Sequence, residues 1–145
     1  GIPDLLGQLS DPEPRVRSRA RNEIHQRPQE EVLTAVAEWV PSVTDDRLMV
    51  EALWIQQSYH EVDEGLAAKC LQLPTGEARA ATVRVLADEA VFGSLSKERM
   101  AELIAGSVTD EHPRVRLEAV RALSFVPSLE AIELAWKCTT KPVDY

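Results

Sequence analysis

Apolar residues recur along this chain every three or four positions, and no stretch alternates strictly between apolar and polar. The first spacing lays an apolar stripe along a helix; strict alternation would mark a half-buried strand. The chain therefore reads as all-α. Val115, Ala119, Ala122 and Leu123 share one helical face, with Leu117 and Val120 beside them. Upstream, Ala78, Thr82, Val85 and Leu86 hold the equivalent places. Helices are predicted over about 3–10, 14–26, 29–40, 45–58, 62–72, 76–90, 96–108, 113–125 and 128–139.

The helix starts repeat. Asp-x-x-Pro-Arg-Val-Arg occurs at Asp11–Arg17 and again at Asp110–Arg116. Weaker copies begin at Asp46 and Gly76. Aligning Ala20, Ala52, Thr82 and Ala119 gives offsets of 32, 30 and 37 residues. A second motif repeats independently: Leu66-Ala67-Ala68-Lys69-Cys70 with Pro74 matches Leu134-Ala135-Trp136-Lys137-Cys138 with Pro142. Self-similarity at this period marks stacked helix pairs, in which each pair buries its stripe against the next. The small residues at 20, 52, 82 and 119 allow close helix approach. The predicted repeats are about 3–26, 29–58, 62–90 and 96–125, with a partial one over 128–145.

The boundaries have local causes. Asp11 and Asp110 are expected to cap free backbone N–H groups. Pro12, Pro14 and Pro113 suit a first turn, where a missing N–H costs nothing. Pro28, Pro41, Pro74 and Pro127 separate helices.

Composition narrows the function. The 145 residues carry 16 basic and 24 acidic side chains, for a net charge of −8. Binding duplex nucleic acid needs surplus Lys and Arg, so no nucleic-acid partner is expected. The stripe Arg15, Arg17, Arg19 and Arg21 reads as a solvated helix face. No apolar run of about 18 residues is present, so no direct membrane insertion is expected. Gly1 reads as a tag remnant, and Lys141–Tyr145 stops where another helix is due, so the chain reads as a segment of a larger protein.

Chemistry-bearing motifs are sparse. Cys70 and Cys138 are expected to be buried free thiols. His25, His60 and His112 lack metal-ligand spacing, and no Cys-x-x-Cys-His, phosphate loop or serine nucleophile elbow occurs. No catalytic, cofactor-binding or metal-binding residue is therefore assigned. Asp11, Arg17, Arg79, Asp110 and Arg116 instead form a candidate repeat-to-repeat clamp, a guanidinium bonding the preceding loop. Arg21 falls where Leu53, Val83 and Val120 stand in other copies, which suits a wetter terminal repeat or one covered by an upstream domain. Trp54 and Ile55 are expected to fill core. The second helices should line a concave contact face with Arg19, Arg47, Gln57, Tyr59, Arg84, Glu118 and Arg121 as candidates.

The paired helices with Asp and then Val-Arg at the second helix resemble HEAT repeats, strongly at 11–17 and 110–116 and more weakly at 45–53 and 76–86. That resemblance implies a right-handed α-α superhelix, a HEAT-like solenoid of about four helix pairs plus one extra helix. Ala52-Leu53-Trp54-Ile55, the run from Ala78 to Leu86, the run from His112 to Ala122 and Pro142-Val143-Asp144-Tyr145 are also similar to a narrower group. This is the HEAT segment of exported haem-binding proteins of planctomycetes and related bacteria, often labelled membrane-bound dehydrogenases. There the segment lies between a sugar-dehydrogenase-like propeller and a c-type cytochrome domain. The resemblance implies an exported, non-catalytic spacer contacting other domains of its own chain or another protein. Gln56 stands where that group's His is expected. The alternatives are a helical-repeat enzyme-like module, acting on alkylated DNA or attaching a bilin, and a stand-alone regulatory adaptor in the cytoplasm.

Overall fold

A computed structural model describes residues 1–142; the resemblance quoted for Val143, Asp144 and Tyr145 lies outside these. Among the described residues there are nine α-helices and no strand. They are α1 (Ile2–Gln8), α2 (Pro14–His25), α3 (Gln29–Trp39), α4 (Asp46–Ser58), α5 (Glu64–Cys70), α6 (Gly76–Phe92), α7 (Lys97–Ile104), α8 (Pro113–Leu123) and α9 (Leu129–Trp136). Short 3₁₀ turns extend α3, α7 and α9.

Side-chain caps set most of the starts. Asp45, Asp63, Ser96 and Ser128 each accept a hydrogen bond from the backbone N–H three residues on. Asp11 and Asp110 depart from their expected role. The caps of α2 and α8 are Glu13 and His112, the residues directly before the first-turn prolines. A residue preceding proline is pushed into extended backbone, which is the cap conformation, so the cap falls there. Asp11 and Asp110 accept instead from Glu13 N–H and His112 N–H, both at 2.8 Å, and tie down the turn before each helix.

α6 packs against α4, α5, α7 and α8, and α1 against α2 and α3. The core includes Leu6, Ile24, Val36, Leu53, Leu86 and Leu123, all at most 2% exposed. Ala20, Ala52, Thr82 and Ala119 are fully buried, as close helix contact requires. Gly76 opens α6 against the imidazole of His112, where a Cβ would overlap the ring. This is why the third copy carries glycine at that place.

Three core expectations fail, each for a positional reason. Leu117 is 65% exposed, although its counterparts Val50 and Ala80 are buried. α4 packs against α6 and α6 against α8, whereas among the described residues no second helix follows α8. Cys138 is only half-buried, unlike Cys70, and among the described residues no α-helix follows α9. Trp54 is 44% exposed while Ile55 is buried; the indole lies at the edge of the α4 stripe, facing small α6 side chains.

Candidate interaction surface

One arginine geometry recurs at three helix starts. Arg17 Nη1 donates to the carbonyls of Asp11 and Pro12 at 2.7 and 2.9 Å. Arg79 Nη1 donates to those of Leu73 and Pro74 at 2.8 and 3.0 Å. Arg116 Nη1 donates to those of Asp110 and Glu111 at 2.8 and 3.0 Å. Each guanidinium thus closes the turn that precedes its own helix. Arg79 also reaches the next copy, with Nε and Nη2 on the two carboxylate oxygens of Asp110 at 2.9 and 3.0 Å. A bidentate pair of this kind fixes orientation as well as adding energy.

Further arginine–carboxylate contacts join the second helices. Arg84 of α6 donates to Glu118 of α8 at 2.5 Å. Arg21 of α2 donates through Nε to both Glu51 oxygens of α4 at 3.0 and 3.1 Å, and through Nη2 to Oε1. Glu51 and Glu118 are 2% and 6% exposed, so each needs its arginine to offset the desolvation of a buried charge. Arg21 is therefore engaged with its neighbour rather than left on a wet face. Its role was hidden because the sequence places Glu51 inside an apolar stripe, where the pairing partner cannot be read from one helix alone. His60 and the 2%-exposed Glu89 form a comparable contact at 3.0 Å, with His60 in left-handed backbone at φ 55°.

The seven candidate contact residues separate accordingly. Glu118 is buried and fastened to Arg84, so it joins helices rather than facing outward. Arg47 donates to the Leu9 carbonyl at 3.3 Å, and Gln57 to Asp88 at 3.4 Å. Arg19 pairs with Glu23 on its own helix at 2.9 Å. Tyr59 is half-buried, with its hydroxyl buried and without a hydrogen-bond partner among the described residues. Arg121 stands exposed.

The titratable groups follow this geometry. Burial pushes the Asp110 carboxyl up, but the Arg79 guanidinium and the His112 N–H outweigh it and hold the group below the usual carboxylate range. A depressed folded-state pKa means the unfolded chain binds the proton first as pH falls. Asp110 thus contributes stability that is fully present above about pH 4 and is lost as pH drops through its lowered value. Urea unfolding between about pH 5 and pH 2 should show a shallower acid-side loss in Asp110→Asn than in the parent, from a lower starting stability.

Burial pushes the Cys70 thiol up to about 11, and its Sγ lies 3.8 Å from the Met49 carbonyl. A thiol so placed forms almost no thiolate at neutral pH and makes a poor nucleophile. Iodoacetamide at pH 8 should modify Cys138 in the native protein and Cys70 only after unfolding, as read by peptide mass spectrometry. Among the described residues no group of three or more His, Cys, Asp or Glu could hold a metal ion. No helix there is long and apolar enough to cross a membrane.

Between α4 and α6 lies a groove of about 580 Å³, with Val50, Trp54, Ala78 and Ala81 along its apolar wall. No family model, no curated protein and no solved structure matches the chain.

Proposed function

We propose that this chain is a non-catalytic scaffold, a segment that spaces or joins other protein modules through the face formed by its second helices. The observation that carries the reading is the recurrence of one arginine–loop bond at Arg17, Arg79 and Arg116, together with arginine–carboxylate contacts to the following copy. A device present in three of the four copies, with Met49 in its place in the second, supports a right-handed α-α superhelix of HEAT-like repeats, in which each unit contacts its neighbours and builds an extended surface. The burial of Cys70, which pushes its thiol up to about 11, weighs against that residue as a bilin attachment site. The acidic balance weighs against a DNA-repair role.

The narrower reading is a spacer between a dehydrogenase-like propeller and a c-type cytochrome domain in an exported protein. Its support is the similarity of four stretches, Ala52–Ile55, Ala78–Leu86, His112–Ala122 and Pro142–Tyr145. Deleting this segment from the parent protein should abolish assembly or electron transfer between the flanking modules while each module keeps its own cofactor and partial reaction. A deletion that leaves both assembly and coupled activity intact would remove the scaffold reading.

A further inference from the structure

We infer that the α4–α6 groove is a binding site for an arginine-bearing peptide with a small aliphatic anchor. The inference rests on the reading of the second-helix face as an interaction surface and names the chemistry of its occupant. The starting point is a break in a pattern. Arg84 lies two residues after the aligned small position Thr82, and Glu118 one residue before Ala119; together they tie α6 to α8. At the α4–α6 step those two places hold Trp54 and Ala81. An indole faces an alanine where an ion pair could have stood, and the space between the helices stays open.

The opening is apolar inside and acidic at its edge. Val50 and Ala78 are buried and form the floor with Ala81, while Trp54 offers a half-exposed ring. Asp45, Asp46 and Glu77 border it. Asp45 caps α4 through Leu48 N–H, and Asp46 accepts from the N–H and hydroxyl of Thr75, so both carboxylates are held in place. The Glu77 side chain is 80% exposed. Arg47 also lines the groove, but its guanidinium is directed at the Leu9 carbonyl. The rim thus carries three carboxylates beside the indole, and Glu77 Oε1 also lies 3.6 Å from His112 Nε2.

A guanidinium entering there would stack on the Trp54 ring and meet the Glu77 carboxylate, and an adjacent Val or Leu would cover Ala78 and Ala81. An acidic or purely polar segment would meet like charge and an unfilled floor. The volume suits a few side chains rather than a second helix.

The test is a titration of isotope-labelled protein with acetyl-Gly-Arg-Val-Leu-Gly-amide, read by NMR at the Trp54 indole N–H and the Ala81 amide. A control peptide replaces Arg with Glu. The basic peptide should move both signals and bind at least about tenfold more tightly than the control. Glu77→Lys, an exposed change, should weaken it about tenfold, and Ala81→Leu should close the floor and remove the response while the remaining spectrum keeps its dispersion. The proposal is overturned if the basic peptide leaves Trp54 unmoved up to about 5 mM, if the two peptides bind alike, or if both variants bind as the parent does. Shifts gathered instead around Arg121 or Phe125 would overturn this groove while leaving the scaffold reading standing.

Discussion

Arg21→Ala is expected to cost about 3 kcal/mol of stability, far more than an ordinary surface arginine. The reason lies in Glu51, whose carboxylate is 2% exposed and whose hydrogen bonds come from Arg21. Removing the arginine leaves a buried charge with no compensation. The opposite truncation behaves differently. Glu51→Leu removes the charge and keeps the volume, and Arg21, about a third exposed, can turn its guanidinium to water. That variant should lose less than about 1 kcal/mol. Urea denaturation of the two single variants measures the asymmetry. Equal losses in both would mean that Glu51 is not buried against α2.

The second large effect is expected at Leu86. It is fully buried near the middle of α6, the helix that touches α4, α5, α7 and α8. Leu86→Ala should lose about 3–4 kcal/mol, part from lost transfer energy and part from the cavity left in the packed core. Leu117→Ala, one copy further on, should lose less than about 0.5 kcal/mol because that side chain is 65% exposed. Thermal unfolding followed by circular dichroism separates the two. A costly Leu117→Ala would show that another surface covers α8.

The contrast between these leucines marks the limit of sequence reading. Periodicity placed all nine helices, because an apolar stripe at 3.6-residue spacing and a proline or acidic residue at each start are local signals. It also located Arg17, Arg79 and Arg116, because the motif itself repeats. Periodicity says which residues share a stripe, however, and not whether a neighbour covers it. Leu117 matches Val50 and Ala80 in register and differs only in what lies above it. Trp54 failed for a related reason: its neighbour across the helix contact, Ala81, is too small to bury it, and α6 contributes that residue from 27 positions away in the chain (81 − 54). Partners of buried carboxylates were equally illegible. Glu51 and Glu118 occupy the same aligned place, one residue before Ala52 and Ala119, yet each is satisfied by an arginine on another helix. The displaced caps are the one local miss. Pro14 and Pro113 dictate extended backbone at Glu13 and His112, a signal that outweighs the general preference for aspartate.

Arginine–carboxylate contacts spanning about thirty residues of sequence fasten one copy to the next, a separation that stacked helix pairs would bring together. A double-mutant cycle on Arg79 and Asp110 tests this fastening most directly, since these side chains are 18% and 15% exposed and bond in a bidentate arrangement. Arg79→Ala, Asp110→Ala and the double variant should give a favourable coupling of about 1.5–2 kcal/mol in urea unfolding. Losses that add to within about 0.3 kcal/mol would mean the two residues do not meet, and would contradict the stacked arrangement.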